Sequence, residues 1–229
     1  SMTCSIGMAG VGRLAMTAPE IISRARKAQA EAAETGDHLV SFKPQLTAVS
    51  NVEGEHDWVG NIREALANQD FYSVQQSIVD LDGEGEQLIE NITFMRGENG
   101  DHSCKEFQQA AERNDLAGTI DRHIIPGLLR TFVDREEKQI ISLSNNSILD
   151  YGFPGWFADQ MKAVAIEGNK VILQIDASAA HTNLRPAQRL MKELKPLGCQ
   201  LAVCHFDAER RSRQLLEHLD ASFIKINPE

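Results

Sequence analysis

Three apolar runs, Ile172-Leu-Gln-Ile-Asp176, Leu201-Ala-Val-Cys-His-Phe-Asp207 and Phe223-Ile-Lys-Ile-Asn227, each end on polar residues and are separated by helical sequence. In a parallel α/β barrel the C-terminal ends of the strands converge on one face, and active sites are built there. The positions at these ends carry Gln174, Ala177, Cys204, His205 and Asn227. A hydrolase that holds hard metal ions needs carboxylates in such places, so the frame of a metal site is present with few of its ligands. Cys199, Cys204 and His205 match no familiar zinc spacing, and adjacent strand residues point to opposite faces, so Cys204 reads as a buried strand thiol. Arg96 closes another strand-like run. Positions 92, 94 and 96 share one strand face, which aims Ile92, Phe94 and Arg96 the same way. An arginine so placed can grip a phosphate through two parallel hydrogen bonds. The same residue also fits a solvated turn before Gly97-Glu-Asn-Gly100.

The elements that position these residues follow from periodicity. Residues 3–9 and 38–42 read as short strands around a helix from about Ala18 to Thr35, with Thr17 able to cap it, Pro19 in its first turn and Gly36 as a stop. This strand–helix–strand piece is too short to bury a core of its own. Residues 46–57 are polar and read as a linker. A helix starts at Trp58. Two strands follow, Phe71 to Leu81 and Ile89 to Met95, and Asp82-Gly-Glu-Gly85 turns the chain between them, so they pair antiparallel. After two amphipathic helices, Cys104 to Ala117 and Ile120 to Phe132, strands alternate with helices: 139–143, 171–175, 201–206 and 223–226. That alternation implies βαβ units with parallel pairing.

The chain has 229 residues, and 23 basic against 33 acidic residues give a net charge of −10. Such a surface argues against a nucleic-acid polymer as partner, since that binding relies on counterion release by basic residues. It leaves room for a small anion held by one or two local arginines. No apolar run is long enough to cross a membrane, and no signal-peptide pattern opens the chain. Four cysteines without a CxxC or a disulfide-framework density point to reduced thiols and a cytoplasmic location.

The ordered set of strand ends resembles the EAL domain, the barrel family that hydrolyses the bacterial second messenger cyclic di-GMP. Phe71-Tyr-Ser-Val-Gln-Gln-Ser-Ile-Val-Asp-Leu81 is similar to its first strand, "YYQPIVDL", with Gln76 on the glutamine and Ser77 in place of the proline. Phe107 to Leu116 and Ile120-Asp-Arg122 are similar to the helices that carry "AE..GLI" and "LDRW". Ile141-Ser-Leu-Ser144 resembles "VNLS", Gln174-Ile-Asp-Ala177 stands for "EITE", Cys204-His-Phe-Asp207 for "DDFG" and Lys225-Ile-Asn227 for "KID". Residues 1–45 resemble the end of a GGDEF domain, which often precedes EAL. The fold implied is an EAL-type (β/α) barrel whose second strand is antiparallel to the first, ending after six of eight expected strands, with a GGDEF remnant ahead of it. Such an open edge suggests either pairing with another chain, including a homodimer, or a rearranged end.

The departures shape the functional expectation. Counting back from Arg96 puts Ile92 on the signature glutamate, with Ser142, Gln174, Cys204 and His205 on the other metal-ligand positions. Mg²⁺ and Mn²⁺ need oxygen donors, so the resemblance implies no catalytic metal, no metal-activated water and no phosphodiesterase activity. A retained Lys225 does not replace two ions. What is expected is a FimX-like receptor for cyclic di-GMP, acting on type IV pili or biofilm through a PilZ-domain or other signalling partner. The alternative is an interaction module that no longer binds the nucleotide. The candidate contacts are Arg96 on a phosphate, Gln76 on a guanine or phosphate, Phe94 against a base, and Asp121 facing a guanine. Each also has a plainer reading: an alternating strand face for Gln76, core for Phe94, a helix-surface charge for Asp121.

Overall fold

The computed structural model describes residues 6–8, 39–41, 52–81, 85–97, 100–206 and 215–226. It divides into two compact units, Ser1–Val52 and Glu53–Glu229. In the first, β1 (Ile6–Met8) pairs parallel with β2 (Leu39–Ser41). The helix expected between them, and residues 46–51 of the expected linker, lie outside the described residues.

Helix α1 (Val52–Asn68) begins six residues before Trp58, inside the stretch read as a linker. A polar composition suits an exposed helix turn as well as a linker, so it did not mark this boundary. Strands β3 (Phe71–Ile78) and β4 (Leu88–Met95) form the expected antiparallel hairpin, with Tyr72 opposite Phe94 and Gln76 opposite Glu90. A two-residue strand, β5 (His102–Ser103), pairs back onto β4. Then come α2 (Cys104–Arg113), α3 (Ala117–Phe132), β6 (Lys138–Ser142), α4 (Asn145–Leu149), α5 (Phe153–Ala163), β7 (Val171–Asp176), α6 (Ala177–Thr182), α7 (Leu184–Leu194), β8 (Gln200–Phe206) and β9 (Phe223–Ile226).

The described sheet has seven strands in the order β3-β4-β6-β7-β8-β9, with β5 added on β4. From β4 onward the neighbours are parallel. Val171, Ile172, Leu173 and Ile175 of β7 are fully buried, as a central strand covered on both faces requires. One apolar cluster lies between the sheet and its helices, built on Leu129 and Phe132 of α3, Phe157 of α5 and Leu190 of α7. A second holds Ile62, Phe71, Met95 and Phe107 together. A third, small cluster of Ile140, Ile172 and Ala202 floors the inner face, with Leu88 and Phe223 against it. The inner face is therefore closed below and polar toward the strand ends.

Candidate functional site

Alternation along β4 puts Leu88, Glu90, Ile92, Phe94 and Arg96 on the inner side, in register with Ile140 of β6 at Glu90. At the mouth, Phe94 stacks on Tyr72 with ring centroids 5.7 Å apart and planes inclined by 23°. The Arg96 guanidinium lies over the other ring, 5.3 Å from the Tyr72 centroid. Its backbone is pinned where Arg96 N donates to Asp70 O at 2.9 Å. Tyr72 Oη donates to Asp101 Oδ2 at 2.5 Å, and that bond raises the phenol's pKa. Arg96 is exposed, so it is presented to solvent on an aromatic support. A cation over an aromatic face is held in place without spending its N–H donors.

Deeper in the frame a charge pair crosses the sheet. Lys225 Nζ donates to both Glu90 oxygens, at 2.6 Å and 2.7 Å, although the two residues are 135 positions apart. Gln174 Nε2 donates to Glu90 Oε1 at 3.2 Å and to Ser142 Oγ at 2.9 Å. Burial alone would raise the Glu90 pKa; the hydrogen bonds from Lys225 and Gln174, with the lysine's charge, outweigh it and hold the carboxyl below the usual range. Glu90 was missed in the sequence because the count from Arg96 stops at Ile92. The signal was available: 90 shares the parity of 92, 94 and 96.

The sequence-predicted contacts do not all meet. Phe94 and Arg96 come together with Tyr72. Gln76 shares their face but pairs with Glu90, roughly 20 Å down the strand from Arg96 at about 3.4 Å per residue. Because β3 ends the sheet, Gln76 is exposed. Asp121 is committed elsewhere. Its Oδ2 accepts from Ser144 N at 2.9 Å, Ser144 Oγ at 2.6 Å and Ser147 Oγ at 2.6 Å, locking the turn into α4. Burial still pushes this carboxyl above its usual range, with those bonds as a partial offset. Asn227 lies outside the described residues.

A third group forms where β7 and β8 end. Asp176 caps α6: its Oδ1 accepts from Ser178 N at 2.8 Å and Ala179 N at 3.0 Å. Its Oδ2 lies 2.8 Å from His205 Nδ1, and Cys204 Sγ lies 3.6 Å from the same nitrogen. Burial would raise the Asp176 pKa, but bonds from Ser178, Ala179 and His205 lower it overall. Burial, aided by the Asp176 charge, pushes the Cys204 thiol up to about 12. Cys204 is buried, as expected, but it is not separated from His205 by the strand pleat. His205 has φ +50°, and the β8–β9 register shifts between Val203 and Phe206. This irregularity turns two consecutive side chains toward one point.

A hard-cation pair of the kind implied by the resemblance does not fit the residues at the family's positions. Ile92 offers no donor, the Gln174 amide turns its N–H groups to Glu90 and Ser142, and Glu90 already holds an ammonium.

The EAL-domain family model matches residues 59–229. The cyclic di-GMP phosphodiesterase PdeF of Escherichia coli strain K12 is 27% identical over 175 residues, which cover 74% of this chain and 23% of that protein. The chain thus spans about a quarter of the curated relative. The crystal structure of the FimX EAL domain from Pseudomonas aeruginosa bound to c-di-GMP matches with 27% identity and a TM-score of 0.70, covering 74% of this chain and 71% of that one. The Xanthomonas citri FimX EAL domain in complex with c-diGMP shares the fold, at 24% identity and a TM-score of 0.67, over 78% of this chain and 72% of that one. The relationship to PdeF overturns the expectation that the chain is not an enzyme. That expectation compared positions one by one, whereas chemistry depends on donor atoms in space. Asp176 and His205 bring donor atoms together at the strand ends, whereas Glu90 lies deeper and holds Lys225.

Proposed function

Because the chain belongs to the EAL-domain family, we propose that its strand-end face recognises cyclic di-GMP and passes that binding on to a protein partner. The observation that carries this reading is the Arg96–Tyr72–Phe94 stack. It presents a fixed guanidinium to a phosphate and aromatic surface to a base, on a chain whose net charge otherwise repels anions. The c-di-GMP-bound FimX relative supports it. Gln76 is a contact for the distal half of an extended dinucleotide. Asp121 serves indirectly, by fixing the Ser144 turn at the mouth. Recognition by these groups needs no metal ion.

We place the output in type IV pilus motility or biofilm control, through a PilZ-domain or other signalling partner, as in the FimX-like branch. Residues 1–45 are read as the end of a GGDEF-like domain. Exposed Val74 on β3 and Ile224 and Ile226 on β9 give a partner, or a second copy, apolar strand surface to cover.

Calorimetric titration with cyclic di-GMP in the presence of a chelator tests the reading. Binding to the wild type, weakened tenfold or more in Arg96→Ala, is the expected result. Loss of a charge-assisted contact of about 1.5–3 kcal/mol sets that scale. Absence of heat from the wild-type protein at high ligand concentration would sink the proposal in favour of a pure interaction module. Turnover is a second reading, favoured by the relationship to PdeF. Chromatography of cyclic di-GMP incubated with the protein and Mg²⁺ or Mn²⁺ decides it: a linear dinucleotide product that chelation abolishes establishes hydrolysis.

A further inference from the structure

The Asp176, Cys204 and His205 ligand atoms all lie within 4.8 Å of one another. Three donor types, carboxylate, thiol and imidazole, are gathered from the ends of two neighbouring strands. The geometry rules out a nucleophilic relay. In a Cys–His–Asp relay the imidazole uses one nitrogen for the thiol and the other for the carboxylate. Here both contacts fall on Nδ1. One nitrogen carries either a proton or a lone pair, so it cannot serve both neighbours in that way. A lone pair on Nδ1 beside a sulfur and a carboxylate oxygen can, however, share one cation.

We infer that Asp176, Cys204 and His205 form a binding site for a single borderline cation of the Zn²⁺ class. Tetrahedral zinc places ligand atoms about 2.0–2.3 Å from the ion, which sets them roughly 3–4 Å apart. The 3.6 Å Sγ–Nδ1 separation already suits this, and the 2.8 Å Oδ2–Nδ1 pair needs to open by a few tenths of an ångström. Asp176 is oriented for it. Its Oδ1 is held by the α6 cap, which leaves Oδ2 facing His205. His205 is more than half exposed and Cys204 is buried, so the fourth position opens to solvent. Sulfur and imidazole select Zn²⁺ or Co²⁺ over Mg²⁺ and Mn²⁺. The site requires the positive φ of His205 and the break in register beside it, because a regular strand would part the two donors. None of its three residues belongs to the Arg96–Tyr72–Phe94 stack, although Cys204 and His205 stand at two of the family's metal-ligand positions.

Cobalt titration of the full chain under reducing conditions tests this. The expected result is one equivalent of Co²⁺, with visible bands of a tetrahedral ion, a sulfur-to-cobalt charge-transfer band in the near ultraviolet, and displacement of both by Zn²⁺. Cys204→Ser abolishes the charge-transfer band, while His205→Ala weakens binding tenfold or more. Cys104→Ser leaves both signals intact. His205 is exposed, so its alanine variant retains the fold if Cys204→Ser does not; circular dichroism checks each. A folded wild type without the charge-transfer band, or a band that survives in folded Cys204→Ser, overturns the assignment. Cyclic di-GMP calorimetry on the same samples keeps the two proposals separate, since the titrations report on different residues.

Discussion

Replacing Lys225 by methionine strands the Glu90 carboxylate. The lysine side chain is 51% exposed and the glutamate 8% exposed, so the two ends of this ion pair are unequal. Removing one member of a fully buried pair costs about 3–5 kcal/mol, whereas an exposed pair contributes about 0–1 kcal/mol. A half-exposed lysine on a buried glutamate falls between, and Gln174 remains as a donor, so Lys225→Met is expected to cost about 2 kcal/mol. Glu90→Gln strands only an ammonium that reaches water, and should cost less than about 1 kcal/mol. The double variant Glu90→Gln/Lys225→Met should return to about the level of Glu90→Gln. Urea unfolding near neutral pH measures all three. The pH dependence sharpens the test. The folded Glu90 pKa lies below the ordinary 4.5, so the pair's stabilisation is complete above that value and is lost as pH falls through the lowered folded value. Without the lysine, burial dominates and lifts the folded carboxyl above its ordinary value. The variant then gains relative stability on acidification, and the two curves converge as pH falls below 4.5 through the wild type's lowered folded value. A Glu90→Gln penalty equal to or larger than that of Lys225→Met would refute the reasoning, as would a gap unchanged between neutral and acid pH.

Asp121→Ala removes the acceptor of three hydrogen bonds from Ser144 and Ser147; a loss of about 2–4 kcal/mol in urea unfolding is expected. Gly168→Ala would place a Cβ 1.9 Å from Leu197 O, against backbone that cannot yield cheaply, and should lower the melting temperature sharply. Gly155→Ala in α5 meets nothing within 4 Å and should raise stability by about 0.5–1 kcal/mol, measured in the same melts. The Cys199 thiol, pushed up to about 12 by burial, should resist alkylation at mildly alkaline pH until the protein is unfolded, as mass spectrometry of iodoacetamide-treated samples would show.

Local patterns carried most of the frame. Two-residue alternation and the Asp82–Gly85 turn predict the antiparallel hairpin, and the apolar runs 171–175, 201–206 and 223–226 match β7, β8 and β9 closely, because strand identity and face follow from spacing along the chain. The same spacing placed Phe94 and Arg96 on one face. Tertiary structure decided the rest. Lys225 finds Glu90 across 135 residues only when β9 closes on β8 and brings its inner face toward β4. Asp121 looked free for a ligand until α3 carried it against the Ser144 turn. Cys204 and His205 were separable by the strand pleat until one left-handed residue and a register break turned both toward Asp176. Periodicity is a property of neighbours in sequence, so the sequence by itself determined faces and order. Which charges neutralise each other, and which donors share a point in space, depends on strands that meet only in the folded sheet.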